Sequence, residues 1–516
     1  MAKIKSLNPA TGQVVEEIEA GTESDVRRAV EKARKASPAW ARLSFQDRAR
    51  YILAARNHIR DHLDEFARLL TEENGKPLPE SLSADLFPVM ELATYFAKNT
   101  EKILRREKIW LGKWSLMGRS SAIEYHPLGV VGIISPWNYP FSIPCGQVMT
   151  ALMAGNSVIL KPSEFTPRIG LKIGEIFEAI DLPSGVLQVI PGDGSTGAAL
   201  VNSGVDKILF TGSVSTGKKI MEAASKTLTP VGLELGGKDP MIVLEDADLE
   251  VAASGAVWGS FSNAGQTCSA VERLYVHEKI AEPFIQRVLE KTRRLRQAEG
   301  SAEGTDVGPM SSEMQLSKVS HQVEEAKKSG AQVLTGGTRD SSKKGFFYPP
   351  TILTHVDHSM EVMREETFGP VVGIMTFKDD DEAVRLANDS KYGLTTSVWT
   401  RNIDRGRRLA RQIDAGTVMI NENLYTYALP QTPWGGPKES GIGRTHGKLG
   451  LLEMVKPHHL HINRVARIKD FWWYSYDQNR YEALKSLAEV LFAKGILRKL
   501  KKAARFLVLQ FRLKNL

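Results

Sequence analysis

The sequence is poor in cysteine and has no long hydrophobic run. Cys145 and Cys268 are the only cysteines among 516 residues, and two thiols so far apart offer neither a disulfide framework nor the ligand spacing of structural zinc. No apolar run reaches the roughly 18 residues that a bilayer span needs, and the N-terminus lacks the apolar segment of a signal peptide. We therefore expect a protein of the reducing cytoplasm without a bound metal.

A surplus of one charge is also missing from most of the chain, although the formal net charge is +8. Residues 490–516 contain eight Lys or Arg residues and no acid; the other 60 of the 68 basic residues equal the 60 acidic ones in number. A neutral body argues against nucleic acid as a partner, so the basic surplus belongs to the tail. At this length, with 42% hydrophobic residues, two or three domains are expected.

Two stretches of the chain have the pattern of an α/β protein. After a helical N-terminal region at about 24–105, short apolar runs alternate with helical patterns, which predicts a doubly wound parallel sheet with a nucleotide site at the carboxyl ends of its strands. The apolar runs are 129–134, 157–160, 186–190 and 207–210. A second α/β stretch extends over about 237–446, with runs at 240–244, 273–276, 370–375 and 395–399.

Cys268 and Glu234 form a candidate covalent site. Cys268 lies 34 positions after Glu234, and a thiolate nucleophile with a carboxylate as its acid/base partner is a common arrangement in covalent enzymes. The glycines that follow, Gly236 and Gly237, would let another molecule approach the backbone closely. Because Glu234 lies at the boundary between the two stretches, we expect the site to lie in a cleft.

The order of motifs over about residues 6–465 resembles the aldehyde dehydrogenase superfamily. The motifs are Pro136-Trp-Asn-Tyr-Pro, Lys161-Pro-Ser-Glu, Phe210-Thr-Gly-Ser, Glu234-Leu-Gly-Gly, Gly265-Gln-Thr-Cys, Glu366-Thr-Phe-Gly-Pro and Pro433-Trp-Gly-Gly. The resemblance implies an NAD(P)-dependent enzyme that oxidises an aldehyde to a carboxylic acid through a thiohemiacetal and a thioester on Cys268. It implies that the Asn138 amide and the Cys268 backbone N–H hold the oxyanion, and that Glu234 activates water.

The resemblance also implies a set of cofactor-binding residues: Lys161, Glu164, Gly212, Ser213, Gly217, Glu366 and Phe368. The first two would bind the adenosine ribose, and a carboxylate there repels a 2′-phosphate, which favours NAD over NADP. The next three would open a helix whose N–H groups suit a pyrophosphate. The last two would hold the nicotinamide ribose and ring.

Gln147 departs from many relatives, which have a lysine at this position that is proposed to relay protons with a C-terminal glutamate, here Glu453. A glutamine cannot carry that proton, so the relay does not carry over to this chain. The substrate tunnel would be lined by Tyr139, Ser142, Ile143, Gly146 and the loop 423–429. Gly146 stands where some relatives carry a bulky aromatic residue, so the entrance would be wider. Since no arginines cluster in these segments, we expect an uncharged apolar or aromatic aldehyde, of medium or long chain.

The C-terminal tail, residues 471–516, combines aromatic residues with a basic amphipathic pattern. Its aromatic part is Phe471-Trp-Trp-Tyr-Ser-Tyr. On a helix, one face would carry Arg498, Lys501, Lys502, Arg505 and Arg512, and the other Ile496, Leu500, Ala503, Leu507 and Phe511. This pattern favours contact with an anionic membrane surface, on the cytoplasmic face. Packing on the protein's own body or on a sister subunit, and an acidic partner, stay open.

We therefore predict a Rossmann-like NAD-binding domain, an α/β catalytic domain and a small β oligomerisation element. The predicted boundaries are 1–108 with 128–235 for the first, 236–446 for the second, and 109–127 with 455–470 for the third, in a homodimer or homotetramer. Two other functions stay open. A coenzyme-A-acylating enzyme would pass the thioester to a thiol, whereas Glu234 argues for water. A catalytically silent, membrane-associated scaffold would not need Cys268, Asn138 and Glu234.

Overall fold

The structure is a computed structural model that describes residues 2–465, 470, 472–474, 476–492, 494–497, 499–500, 503–504, 506 and 508. It contains two compact units. The first comprises Met1–Arg105 and Tyr125–Lys456, and the second comprises Arg106–Glu124 and Pro457–Leu516.

Helices and strands alternate along most of the chain. The α-helices are α1 (Glu23–Ala41), α2 (Phe45–Asp61), α3 (Leu63–Asn74), α4 (Leu78–Glu80), α5 (Phe87–Ile103), α6 (Lys113–Leu116), α7 (Ser142–Met153), α8 (Pro167–Ala179), α9 (Gly194–Val201), α10 (Val214–Ser225), α11 (Leu249–Phe261), α12 (Ala281–Arg294), α13 (Glu313–Lys328), α14 (Glu361–Arg364), α15 (Asp380–Asn388), α16 (Ile403–Ala410), α17 (Gly447–Leu452) and α18 (Gln478–Phe492). The strands are β1 (Lys3–Asn8), β2 (Gln13–Glu19), β3 (Glu107–Ile109), β4 (Arg119–Pro127), β5 (Val130–Ile134), β6 (Ser157–Lys161), β7 (Leu187–Val189), β8 (Lys207–Thr211), β9 (Val231–Glu234), β10 (Asp239–Val243), β11 (Val271–His277), β12 (Gln332–Thr335), β13 (Thr351–Thr354), β14 (Val371–Phe377), β15 (Thr395–Trp399), β16 (Thr417–Ile420), β17 (Gly441–Ile442) and β18 (Val455–Asn463). A π-helical turn, Ser81–Leu86, leads into α5.

The first large sheet has the strand order β17-β9-β8-β5-β6-β7. Its strands are parallel except β17, which is antiparallel to β9. On β5, Val131 and Ile133 belong to the core that includes α2, α5 and α7, whereas Val130 and Ile134 belong to the core that includes α1, α9 and α10. Because apolar side chains cover both faces, the sheet is doubly wound. The predicted α/β fold class is confirmed, and the predicted strands match the observed ones to within two residues at either end.

The second large sheet has the order β12-β13-β14-β11-β10-β15-β16. Its strands are parallel except β12, which is antiparallel to β13. Leu274 on β11, Phe284 on α12 and Val319 on α13 are fully buried in one shared core. The strand β17 comes from the predicted segment 236–446, yet it pairs with β9 of the first sheet beside Glu234. This segment therefore contributes strands to both sheets.

Helix α8 shows how a buried acid positions an element next to the first sheet. Its first turn has no side-chain cap of its own, but the carboxylate of Glu73 accepts hydrogen bonds from the N–H groups of Arg168 and Ile169, each at 2.9 Å. Ser6 donates to the same carboxylate at 2.6 Å. Two helix N–H groups that would otherwise lack a partner are satisfied in this way.

The second unit contains a sheet of order β18-β4-β3, and the C-terminal tail follows β18. The ring of Trp472 contacts Trp114 edge to face, with 5.6 Å between the ring centroids. The guanidinium of Arg119 lies 5.1 Å from the centroid of the Trp472 ring and pairs with Asp470. The beginning of the tail is therefore anchored on this unit's own hairpin.

Beyond that anchor, large apolar side chains of the tail are exposed. Tyr474, Tyr476, Ile496 and Leu500 are 84%, 67%, 77% and 63% exposed. Several residues of the predicted tail lie outside the described residues: Phe471 of the aromatic part, and Arg498, Lys501, Lys502, Arg505, Leu507, Phe511 and Arg512 of the amphipathic helix. In the part of the chain that the structure describes, no helix has both the length and the apolar character needed to cross a bilayer.

Candidate active site

A cleft of about 610 Å³ lies at the carboxyl ends of β5, β6, β8 and β9 in the first unit. Nearly all predicted site residues line it: Asn138, Lys161, Glu164, Gly212, Ser213, Glu234, Cys268, Glu366 and Phe368. Gly217 instead packs against Leu235, because a Cβ atom at this glycine would lie 2.7 Å from Leu235 Cδ2. The sequence motifs, which are spread over more than 200 residues, therefore meet in one cleft.

Cys268 reaches the cleft through a strained turn. The 3-10 turn Ser262–Gly265 follows α11, and within it Asn263 and Ala264 have φ values of 51° and 53°. Residues with a Cβ atom rarely adopt this left-handed conformation unless their surroundings hold them in it. After the turn, Cys268 is half-buried and lines the cleft.

The thiol of Cys268 is surrounded by acids. Burial raises its pKa, and the carboxylates of Asp239, Glu366 and Glu234 raise it further. The thiol is therefore protonated at neutral pH and needs a base before it can act as a nucleophile.

Glu234 has the properties of such a base. It is the last residue of β9, is buried, and has its Oε2 atom without a hydrogen-bond partner among the described residues. Burial raises the pKa of Glu234 well above its ordinary value, while the charge of Arg444 and a hydrogen bond from Thr445 lower it by less. A carboxylate with a raised pKa and a free oxygen in the cleft is able to accept a proton.

The two glycines after Glu234 make room for the chain's own groups. A Cβ atom on Gly237 would lie 2.4 Å from the carbonyl oxygen of Cys268, and one on Gly236 would lie 2.5 Å from Oε1 of Glu366. Gly236 also lines the cleft. The two glycines bring the Glu234 strand, the Cys268 loop and the Glu366 loop together.

Asn138 is held by both its backbone and its side chain. It is 3% exposed, and its Nδ2 atom donates to the carbonyl of Gln266 at 3.0 Å. Its own carbonyl accepts from Lys76 Nζ and from Asn263 Nδ2, each at 2.9 Å. Since a side-chain amide has two N–H groups, one remains for another acceptor in the cleft.

Three predicted cofactor residues lie on the first sheet and the helix that follows it. Lys161 ends β6, and its ammonium lies 3.1 Å from Oε2 of Glu164. Ser213 is the N-cap of α10, where its hydroxyl accepts from the N–H of Thr216 at 3.3 Å. An ammonium, a carboxylate and a helix N-terminus therefore line one side of the cleft.

The loop that holds Glu366 and Phe368 is fixed by a buried ion pair. The carboxylate of Glu272 pairs with the ammonium of Lys238, and both side chains are almost fully buried. The same carboxylate accepts the N–H groups of Thr367 and Phe368, each at 2.8 Å. Glu366 accepts the N–H of Gly237 at 3.0 Å, and burial raises the pKa of Glu366 to about 7.

A second, smaller cavity of about 30 Å³ touches Cys268 and Glu234. Its lining includes Leu92, Ile143, Gly146, Leu394, Tyr427, Trp434, His446 and Met454. Ile143 and Gly146, which belong to this lining, were predicted to line the substrate tunnel. Tyr139 and Ser142 were predicted there too; the Tyr139 hydroxyl forms a hydrogen bond with Thr267 Oγ1 at 2.7 Å, and Ser142 is buried. Leu92 occupies the space beside Gly146, because a Cβ atom at this glycine would lie 3.5 Å from Leu92 Cδ1.

The residues of the family's proton relay take other partners in this chain. Gln147 Nε2 donates to Thr211 Oγ1 at 3.3 Å, and Gln147 Oε1 is buried without a partner among the described residues. Glu453 pairs with Lys207 at 2.5 Å. Gln147, Lys207 and Glu453 line a small cavity together with Glu234.

Several charged residues that position the site were missed by the sequence reasoning. They are Lys76, Glu80, Asp85, Lys238 and Glu272. Charged residues scattered along a sequence in this way usually lie on the solvated surface. The one available signal was that Lys76 follows Asn74-Gly75, a turn pattern at the end of α3, where the chain turns inward.

Similarity to known proteins agrees with this geometry. Residues 1–460 match the aldehyde dehydrogenase family. The chain belongs to this family, and oxidation of an aldehyde is its reaction.

Three relatives illustrate the similarity. The chain is 37% identical over 492 residues to the 4,4'-diapolycopene aldehyde oxidase of Methylomonas sp, covering 95% of this chain and 92% of that protein. It is 40% identical over 483 residues to the peroxisomal aminoaldehyde dehydrogenase 1 of Pisum sativum, covering 92% and 94%. The structure of an aldehyde dehydrogenase from Bacillus cereus in complex with NAD+ matches with a TM-score of 0.86 and 38% identity over 90% of this chain and 94% of that one.

Proposed function

We propose that this protein is an NAD-dependent aldehyde dehydrogenase in which Cys268 is the nucleophile, Asn138 the oxyanion donor and Glu234 the base. One observation carries the proposal: these three residues, distant in sequence, line a single cleft in which the buried carboxylate of Glu234 has an oxygen without a partner among the described residues.

The first step is attack on the aldehyde. Glu234 takes the proton of the Cys268 thiol, the sulfur forms a bond to the carbonyl carbon, and the carbonyl oxygen becomes an alkoxide. The free N–H of the Asn138 amide and the backbone N–H of Cys268 donate to that alkoxide in the thiohemiacetal. Removal of one such donor typically raises the barrier by about 3 kcal/mol.

The second step is hydrolysis. Bound NAD would supply the acceptor for the hydride that leaves the tetrahedral carbon, and this loss leaves a thioester on Cys268. After releasing its first proton to solvent, Glu234 takes one from a water molecule, whose oxygen attacks the thioester. The carbon–sulfur bond breaks to release the acid, and the Cys268 sulfur takes the proton back from Glu234. Hydrolysis is preferred to transfer to coenzyme A because Glu234 is placed to activate water.

The cleft residues fit a dinucleotide. Lys161 and Glu164 would bind the adenosine ribose hydroxyls, and the backbone N–H groups at Gly212, Ser213 and the start of α10 would hold the pyrophosphate. The half-exposed carboxylate of Glu164 would repel a 2′-phosphate, which favours NAD over NADP.

Glu366 and Phe368 complete this proposal on the nicotinamide side. Glu366 would bind the nicotinamide ribose, and Phe368, which contacts Trp137 edge to face at 5.3 Å, would lie against the ring. Gly217 would contribute by letting α10 pack closely on Leu235. That the solved relative from Bacillus cereus holds NAD+ supports this assignment.

We propose that the segments of the chain have the functions that the motifs predict. Segments 1–108 and 128–235 would bind NAD, and 236–446 would carry the thiol. Segments 109–127 and 455–470 would join subunits into a homodimer or homotetramer.

For the substrate, we propose an uncharged apolar aldehyde of medium or long chain, or an aromatic one. The small cavity beside Cys268 is lined largely by apolar and aromatic side chains, and Glu234 is its one carboxylate among the lining residues described. Leu92, which occupies the space beside Gly146, adds an apolar side chain to this lining. The relative that acts on 4,4'-diapolycopene aldehyde supports this choice.

We propose that the tail, residues 471–516, attaches the enzyme to an anionic membrane surface on the cytoplasmic side. Eight cations without an acid in residues 490–516 suit anionic lipid headgroups. The exposure of Tyr474, Tyr476, Ile496 and Leu500 supports contact with lipid over packing on the protein's own body.

NADH formation across a series of aldehydes tests the catalytic proposal. We expect wild-type activity to rise from short alkanals to medium-chain alkanals and to be low with an aminoaldehyde. Cys268→Ala should abolish NADH formation, whereas Cys145→Ala, which removes a thiol buried in the core, should retain it. Equal rates for Cys268→Ala and wild type would refute the nucleophile assignment.

A further inference from the structure

The segment 74–85 carries buried charges that lie beneath the loop of Asn138. Lys76 and Asp85 form an ion pair with Nζ and Oδ2 2.5 Å apart, and both side chains are completely buried. Two buried charges are costly unless every polar atom finds a partner. The partners of this pair are therefore informative about its role.

Both charges bind the backbone of the loop that contains Asn138. Lys76 Nζ donates to the Asn138 carbonyl at 2.9 Å. Asp85 Oδ1 accepts the N–H of Ser142 at 2.8 Å and that of Phe141 at 3.3 Å. The pair thus fixes the loop at Asn138 itself and at the start of α7.

The neighbouring side chains of the segment fix the rest of the loop and the turn before Cys268. Asn74 Nδ2 donates to the Trp137 carbonyl at 2.8 Å. Glu80 accepts the Asn263 N–H at 3.0 Å and the Ser262 hydroxyl at 2.9 Å. Because Asn263 is in the strained conformation, these bonds help to keep the turn in place.

A π-helical turn presents Asp85 to this network. Ser81–Leu86 has π-helical hydrogen bonding in place of a regular α-helix, and such turns are unusual and occur often at functional sites. The Lys76 ammonium also lies 4.2 Å from the centroid of the Tyr139 ring, the residue next to Asn138. The segment therefore contacts the loop at five of the six positions from Trp137 to Ser142.

We propose that Lys76 and Asp85 are positioning residues for the oxyanion donor Asn138. They fix the position and orientation of the Asn138 side-chain amide by binding the Asn138 carbonyl and the N–H groups of Phe141 and Ser142. This inference rests on the proposed function, because it takes Asn138 as the oxyanion donor. A displacement of such a group by about 1 Å can cost up to about 100-fold in rate.

A double-mutant cycle in the full chain tests the proposal. The variant Lys76→Met/Asp85→Leu removes both charges and leaves neither buried alone, and it is combined with Asn138→Ala. The readout is the single-turnover rate of NADH formation from decanal, which reports attack and hydride loss before hydrolysis. We expect the charge-free variant to lose up to about 100-fold in this rate, with little change in KM for NAD.

In the Asn138→Ala background, the same two substitutions should change the rate by less than about twofold, because the group they position is gone. Arg48→Met serves as the matched control. Arg48 is a buried cation whose guanidinium bonds the Met153 and Leu43 carbonyls instead of the site, so its effect should be the same factor in both backgrounds.

The outcomes separate the two proposals. If Asn138→Ala leaves the rate unchanged, the proposed oxyanion role fails. A second outcome is that Asn138→Ala slows the reaction while the Lys76/Asp85 substitutions lower the rate by the same factor in both Asn138 backgrounds, as Arg48→Met does. In that case Asn138 keeps its role and the positioning inference is overturned. Should the charge-free variant not fold, Lys76→Arg, which keeps the charge and the donors, takes its place in the cycle. We expect its loss of rate to disappear in the Asn138→Ala background; an equal loss in both backgrounds would overturn the inference.

Discussion

The two cysteines differ in what surrounds them. Burial raises the pKa of both thiols, but Cys145 is packed in the apolar core of α7, whereas Cys268 lines the cleft beside Glu234. A raised thiol pKa disfavours the free thiolate, so reactivity depends on a base that removes the proton as the bond forms. At the scale of single residues, we propose that Glu234 makes the difference between a structural thiol and a nucleophile.

The pKa of Glu234 leads to a prediction about pH. The deprotonated form is the one that accepts protons, and burial raises its pKa well above 4.5. Activity should therefore fall as pH decreases, with a midpoint well above that of a free carboxyl group. Glu234→Gln removes the base of both steps, so it should lower kcat by about 10² to 10⁴-fold and lose this acid limb. The check is kcat for both proteins from pH 5 to 9; an unchanged acid limb in Glu234→Gln would assign it to another group.

The residues proposed to react could be found from sequence as candidates that share a cleft, but the residues that hold them could not. Cys268, Asn138 and Glu234 stand in motifs whose chemistry is recognisable. Lys76 and Asp85 look like ordinary surface charges between helices, and only the fold shows that they meet beneath Asn138. Burial of an ion pair depends on contacts between distant segments, which local patterns do not record.

At the scale of elements, the strands that end at the cleft were predictable and the short irregular elements were not. A buried parallel strand such as β5 is a continuous apolar run, and its run identified it. The two-residue strand β17, beside Glu234, and the π-helical turn Ser81–Leu86 have no periodicity to detect. Both lie next to the site, where local preference is often overridden.

The tail is the element with the clearest separate test. Deletion of residues 477–516 should leave activity on a short soluble aldehyde intact and abolish sedimentation with anionic liposomes. Replacing the eight cations of 490–516 with Gln keeps the apolar side chains and should also abolish binding, while neutral liposomes should not bind the wild type. Unchanged sedimentation of the deletion variant would contradict the membrane proposal.

At the scale of the whole molecule, buried carboxyl groups make stability depend on pH. The pKa of Glu73 is raised to about 7, chiefly by burial, from 4.5 in the unfolded chain. A carboxyl group with a higher pKa in the folded state binds its proton more tightly there, so the free energy of unfolding falls as pH rises from 4.5 to about 7. The loss for such a group is roughly 3 kcal/mol at most.

We therefore expect the wild type without cofactor to be more stable toward chemical denaturation at pH 5.5 than at pH 8. Glu73→Gln should reduce this slope. Glu65→Gln is the control, because a hydrogen bond from Lys172 lowers the pKa of Glu65 and its loss should leave the slope in place. Denaturant titrations of the three proteins at both pH values provide the comparison; an equal slope in Glu73→Gln and wild type would exclude Glu73 as its source.

Cys268 is proposed to carry the acyl group, and mass spectrometry tests this central claim directly. Wild type, which retains the base Glu234, is mixed with decanal and NAD, quenched in acid at intervals within the first turnover and digested. We predict one NADH per active site and a decanoyl group on the peptide that contains Cys268, with no such adduct in Cys268→Ala. NADH formed without an adduct, or a decanoyl group on Cys145, would contradict the claim.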